Sequence, residues 1–369
     1  MEEKMVLICP HKYVQGKGVL AEAGKYIALV GHKALILWDA VVKGIAEKTL
    51  LASLQAEKVE HVEVMFGGET TKAEAERVAA EIRRFGATVV VGVGGGKILD
   101  TAKAAAFYTG AGMVTVPTIA STDSPTSSAT VWYDEHGNCV GWDMWKFNPD
   151  VVIVDTGIIA QAPVRTFVAG MGDALSTWLE CQAGFKSRTP GLSGGQQTMV
   201  AMMIARLGYD TLLEWGVEAK SAIERKTVTP AVEKCVEANV LMSGLGFESG
   251  SLASSHAVAN AMTLLSECHR FMHGEKVAFG IVTELCLDED VPCGQVYTVV
   301  DWLIQVGLPV CFEDLNIQDA SREHLRAVAD AAAAPGNIAQ WHAFKVTGDS
   351  ILDAMIAADA LGRRRKAML

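Results

Sequence analysis

Residues 87–100 read ATVVVGVGGGKILD. The first seven form an apolar, β-branched run of the length of one buried strand. Gly94, Gly95 and Gly96 break it, Lys97 follows, and 98–108 (ILDTAKAAAFY) continues as an Ala-rich helix. A strand that passes through a glycine turn straight into a helix is the unit of an α/β fold with a mostly parallel sheet. The same alternation repeats on either side. Residues 33–39 (KALILWD), 61–66, 113–116 and 151–155 (VVIVD) read as strands, and 40–54 and 70–85 as helices. Residues 131–142, with His136-Gly137-Asn138 at the centre, read as a β-hairpin on the sheet edge. Beyond Pro163 no strong strand follows. Segments 164–183, 196–215, 230–242, 250–265, 276–287 and 295–305 carry helical periodicity. The expectation is an α/β domain over 1–162, a helical domain over 163–369, and an active site in the cleft between them.

Bulk properties narrow the function. A chain of 369 residues is too long for one core. Its net charge of −11 argues against a nucleic-acid surface, which needs clustered cations. The one basic run, 363–366, reads as a solvated helix end. No apolar stretch approaches the roughly 20 residues of a membrane span. The start, Met-Glu-Glu-Lys, lacks a signal-type apolar segment. None of the eight cysteines forms a Cys-x-x-Cys pair, so reduced core thiols and a cytoplasmic location are expected.

Several residues carry candidate chemistry, each with a plainer alternative. The glycine turn puts free backbone N–H groups at a helix start, which suits a phosphate, and Lys97 adds a cation. It departs from the usual dinucleotide fingerprint, because Lys97 stands where a third glycine is expected; a simple strand-to-helix connection also fits. Asp39 closes an early strand, as does the acid that binds ribose hydroxyls in nucleotide folds. It lies before the glycine turn rather than after it, and a helix N-cap explains it equally. The hydroxyl-rich run 117–128 (PTIASTDSPTSS) suits a phosphate and a polyol, or a surface loop. Asp173, His256 and His273 offer one carboxylate and two imidazoles, the donor set of a catalytic zinc site with an open position. Taken singly, Asp173 reads as an N-cap and His256 as a core histidine.

Six stretches share their order and spacing with one family: FGGE (66–69), GVGGGKILDTAKA (92–104), PTIASTDSP (117–125), MGDALSTW (171–178), GFESGSLASSHAV (246–258) and HGEKVAFG (273–280). Over nearly its whole length the chain resembles the iron-containing, or group III, alcohol dehydrogenases, and within them the glycerol dehydrogenases. The resemblance implies a dehydroquinate synthase-like fold: a Rossmann-like N-terminal domain and an all-helical C-terminal one. It implies NAD as cofactor, held by Asp39, Gly94, Gly95, Gly96, Lys97, Thr118, Ser121, Ser127, Ala129 and Tyr133. It implies one metal on Asp173, His256 and His273, with Asp123 accepting a substrate hydroxyl. Iron-dependent relatives carry a further histidine four residues after the aspartate; Thr177 stands there, which favours zinc. His269 is a candidate group behind the metal. The implied reaction is reversible oxidation of glycerol, or a related vicinal diol such as propanediol, butanediol or dihydroxypropanesulfonate, at the secondary hydroxyl. The implied assembly is a homo-oligomer, an octamer in many relatives. Trp132, Trp142 and Trp145 around the hairpin either pack it or reshape the site. Phosphorylated substrates need a Lys/Arg cluster near the metal, and only Arg270 and Lys276 lie close in sequence.

Overall fold

The computed structural model describes residues 4–135 and 137–369. His136, at the centre of the expected hairpin, lies outside the described residues. Eight strands form: β1 (Lys12–Gly16), β2 (Lys33–Trp38), β3 (Glu60–Met65), β4 (Val89–Gly94), β5 (Gly112–Pro117), β6 (Ala129–Tyr133), β7 (Cys139–Met144) and β8 (Val151–Asp155). Six make one parallel sheet in the order β1-β8-β5-β4-β2-β3. Every residue of β4 and β8 is buried, as expected for strands covered on both faces. Successive side chains alternate between two cores. Val89, Val91 and Val93 join Ile36, Trp38 and Val114 on one face, while Val90 joins Leu35, Leu37 and Ile98 on the other.

Sheet order explains the position of Asp39. After β3 the chain returns to the far side of β2 and lays down β4, then builds outward through β5 and β8. The reversal falls between β2 and β4. In open α/β sheets ligands bind beyond the strand ends at such a reversal. Asp39 ends β2 and Gly94 ends β4, and the Asp39 N–H donates to the Val93 carbonyl at 3.4 Å. The acid precedes the glycine turn in sequence because β2 precedes β4, yet the two are neighbours in space.

Several expected elements differ. β1 was not anticipated: KYVQG is mixed in polarity, and its order comes from parallel pairing with β8, far away in sequence. The β6–β7 hairpin does not extend the main sheet and forms a two-stranded antiparallel sheet of its own. Helices Arg322–Ala332 and Gly348–Lys366 were also missed, although Ser321 and Thr347 cap them in the usual manner. The expected helix over 230–242 is α-helical only over Pro230–Glu237, then widens into a π-turn, Ala238–Met242. The helix expected over 250–265 shrinks to Ser254–Ala261.

The chain divides into two compact units. One contains the sheet and comprises 8–167 and 222–244; the other is helical and comprises 4–7, 168–221 and 245–369. Among the described residues no helix is long and apolar enough to cross a membrane, and none of the eight cysteines forms a disulfide.

Candidate functional site

The helical unit brings the three expected metal ligands together. Asp173 lies well inside the helix Val164–Ser187 and not at its start, which removes the N-cap reading. His256 lies in the helix Ser254–Ala261, and His273 opens the helix His273–Leu287. The His256 and His273 Nε2 atoms lie 3.3 and 3.4 Å from Asp173 Oδ1. One donor atom from each residue falls within 4.8 Å of the others. Asp173 is 2 % exposed, and its Oδ1 accepts no well-formed hydrogen bond. A buried carboxylate oxygen without a donor is costly; facing two imidazole nitrogens, it fits a cation that all three would share.

Close packing sets this geometry. A Cβ on Gly274 would stand 1.8 Å from the Ala169 carbonyl oxygen, and one on Gly172 would stand 2.5 Å from the Gly274 carbonyl oxygen. The two helices touch through backbone at this crossing, which brings His273 to Asp173. The charges respond. Burial raises the Asp173 carboxyl, but His273 and His256 outweigh it and hold the group below its ordinary range. Burial would lower the His256 imidazole, but the Glu180 and Asp173 carboxylates outweigh it and hold it well above its ordinary value.

Two glutamates that the sequence reading missed complete the centre. Glu180 is fully buried; its Oε1 accepts the N–H groups of Ala253 and His256 at 2.8 and 2.9 Å, and its Oε2 lies 2.6 Å from His256 Nδ1. Glu284 Oε2 accepts the Ser255 N–H and hydroxyl at 2.6 and 2.7 Å. These carboxylates satisfy the otherwise orphaned first-turn N–H groups of the helix that carries His256. They also explain why that helix begins at Ser254. Burial, then the nearby Glu180, pushes the Glu284 carboxyl up to about 8. The weak signal was LEC (179–181) and TEL (283–285), acids set in apolar helices. His269, by contrast, lies 2.8 Å from the Thr263 carbonyl and is exposed.

The other candidates lie in the sheet-bearing unit. Gly94 has φ +156°, and a Cβ there would stand 2.4 Å from Ile98. The following helix, Gly96–Thr109, has Gly95 as its N-cap, with no side chain capping its first N–H groups. Lys97 Nζ lies 2.5 Å from Glu69 and 4.7 Å above the Tyr133 ring, so FGGE and the glycine turn meet. Asp39 Oδ1 caps the helix Ala40–Ala56, accepting from Val41 N at 2.9 Å and Val42 N at 3.2 Å. Thr118 is buried and its hydroxyl has no hydrogen-bond partner. Ser121 is buried beside it in sequence. The buried Lys103 pairs with Asp100 at 2.9 Å and holds the carbonyls of Ser124, Ser127 and Ala129. Asp123 Oδ2 accepts the Ser243 hydroxyl at 2.7 Å. Trp132 and Trp145 pack the hairpin, with Trp145 stacked on Phe107, while Trp142 is 47 % exposed.

Known proteins bear on both sets of residues. The family model for iron-containing alcohol dehydrogenases matches residues 10–156. The glycerol dehydrogenase of Citrobacter freundii is 42 % identical over 359 residues, 97 % of this chain and 98 % of that one. This chain belongs to the iron-containing alcohol dehydrogenase family. It stands close to that family's glycerol dehydrogenases. The crystal structure of a probable glycerol dehydrogenase from Sinorhizobium meliloti 1021 superposes with a TM-score of 0.93 at 40 % identity, covering 98 % of this chain and 100 % of that one. The glycolaldehyde reductase of Halobacterium salinarum is 40 % identical over 355 residues, 96 % of this chain and 97 % of that one. The expected pairing of an α/β Rossmann-like domain with a helical domain is the fold of this family.

Proposed function

We propose that the protein is an NAD-linked, zinc-dependent dehydrogenase that oxidises the secondary hydroxyl of glycerol or a related vicinal diol to the ketone, reversibly. The observation that carries this reading is the buried cluster of Asp173, His256 and His273 in a chain 42 % identical to a glycerol dehydrogenase. Asp173 Oδ1, buried with only the two imidazoles facing it, supports a fit to a cation, and the Thr118 hydroxyl, buried without a hydrogen bond, supports a fit to a polar cofactor.

Asp173, His256 and His273 would hold the metal, and Thr177, one turn beyond Asp173, leaves three protein ligands, which favours zinc. Zinc would supply Lewis acidity that lowers the pKa of the substrate hydroxyl, and NAD would supply the hydride acceptor. The remaining roles belong to the chain. The N–H groups at Gly95, Gly96 and Lys97 present the positive end of a helix to a pyrophosphate. Lys97 is paired with Glu69, so its charge is shared and the backbone carries more of this role. Asp39 would accept from the ribose hydroxyls, and Thr118, Ser121, Ser127, Ala129 and Tyr133 would hold the remainder. Asp123, oriented by Ser243, accepts a hydrogen bond from the hydroxyl that the metal does not hold.

Glycolaldehyde reduction is the second reading, favoured by the Halobacterium relative at similar identity. It uses the same chemistry in reverse on a two-carbon hydroxyaldehyde. The assembly we propose is a homo-oligomer, octameric as in many family members. The test is NAD reduction across glycerol, propane-1,2-diol, butane-2,3-diol and dihydroxypropanesulfonate, with NADH oxidation by glycolaldehyde and dihydroxyacetone in parallel. Turnover of glycerol and dihydroxyacetone above the others supports the first reading; no turnover of any diol by zinc-loaded protein overturns it.

A further inference from the structure

The geometry points to Glu180 as a positioning residue that fixes the tautomer of His256 and so aims a lone pair at the metal site. The inference rests on Asp173, His256 and His273 being the metal ligands. Glu180 stands seven residues after Asp173 on the helix Val164–Ser187, two turns along on the same face. One helix therefore supplies a ligand and the group behind a second ligand.

The hydrogen bonds determine which imidazole nitrogen carries the proton. Glu180 Oε1 is committed to two backbone donors, Ala253 N and His256 N. That leaves Oε2, at 2.6 Å, for His256 Nδ1. A carboxylate only accepts, so Nδ1 must hold a hydrogen, and Nε2, 3.3 Å from Asp173 Oδ1, is the nitrogen left to give up its proton and offer a lone pair when a metal binds. Ser176 Oγ does not compete. It lies 3.5 Å from the same Nδ1, while its hydrogen goes to the Asp173 carbonyl at 2.9 Å. Such partners of ligating histidines orient the ring and raise its basicity.

The two backbone donors make glutamine an informative replacement. In Glu180→Gln the amide oxygen must stay with Ala253 N and His256 N. The amide NH2 group then faces Nδ1 and forces it to accept, so the hydrogen moves to Nε2 and points into the metal site. A nearly isosteric change thereby inverts the tautomer. Glu180→Ala removes the directing group and leaves both tautomers open.

The experiment measures zinc affinity by competition with a chromophoric chelator, without substrate or NAD, beside circular dichroism and melting of the metal-free proteins. Glu180→Gln should weaken zinc binding by about 10- to 100-fold while the metal-free fold is kept. Glu180→Ala should weaken it less. Unchanged affinity in Glu180→Gln, or tighter binding by Gln than by Ala, overturns the inference. Should Glu180→Gln not fold, cobalt(II) titration of Glu180→Asp against Glu180→Ala decides: the carboxylate variant must bind more tightly, and equal affinities overturn the assignment. Because no diol enters the measurement, failure of the substrate reading leaves this result standing, and the reverse holds equally.

Discussion

Asp39 has two roles that one set of substitutions can separate. Its Oδ1 caps the helix Ala40–Ala56 through Val41 N and Val42 N, and its place at the sheet reversal suits the ribose of NAD. A 2′-phosphate on that ribose would bring a second anion to the carboxylate. At about 5 Å and an effective dielectric of about 20, the repulsion is roughly 3 kcal/mol, and it falls below 1 kcal/mol if water screens the pair fully. NAD should therefore be preferred over NADP by roughly four- to 200-fold in kcat/KM. Asp39→Ser keeps a capping oxygen and removes the charge, so it should narrow that preference with little loss of stability. Asp39→Ala should narrow it equally and also cost about 1 kcal/mol for the lost cap. The assay is kcat/KM for both cofactors at saturating diol, with a denaturant melt of each variant. Equal efficiency with both cofactors in the parent, or an unchanged ratio in Asp39→Ser, refutes the ribose role and leaves only the cap.

Chelation should abolish activity, and zinc should restore it better than iron because Thr177 offers no fourth imidazole; stoichiometric iron in protein purified without added metal, with activity lost on zinc exchange, would contradict this. Asp123→Asn should cut kcat/KM on vicinal diols by about one to two decades, and far less on simple secondary alcohols, since a charge-assisted bond contributes roughly 1.5–3 kcal/mol. An equal loss on both classes removes the diol-binding role. Glu284 is held protonated in the fold up to about 8, against 4.5 in the open chain. Between those values the native state binds more protons than the unfolded state, so this group's contribution to stability falls as pH rises. In metal-free protein Glu284→Gln should flatten that fall; parallel stability profiles for parent and variant would refute it. Gly274→Ala should destabilise the fold by more than about 1–3 kcal/mol, because the new Cβ meets the backbone of Ala169; an unchanged melt would show that the crossing relaxes.

Legibility in the sequence followed how local each signal was. β4, the glycine turn and its helix are determined by residues next to one another, and all were readable. β1 was not, because its pairing with β8 is remote and its own pattern is weak. The proposed metal ligands were readable only as an isolated acid and isolated histidines until a family resemblance joined them. Glu180 and Glu284 stayed hidden, since an acid inside an apolar helix reveals no partner until helices pack. Asp39 seemed misplaced because sequence order differs from strand order.

The division of the chain also constrains its synthesis. Residues 222–244 cluster with the sheet-bearing unit, although residues 168–221 of the helical unit precede them. They bring the π-turn whose Asn239 side chain holds the Ala120 and Phe167 carbonyls at 3.0 and 3.1 Å and whose Val240 carbonyl accepts the Thr126 hydroxyl at 2.6 Å. Every strand has been synthesised once Asp155 is added, yet the loop carrying Thr118, Ser121 and Asp123 still lacks these anchors. A nascent chain can thus complete its sheet well before its binding loop is locked. A chain stalled between Asp155 and Asn239 would hold every strand but none of the contacts that Asn239 and Val240 make to this loop.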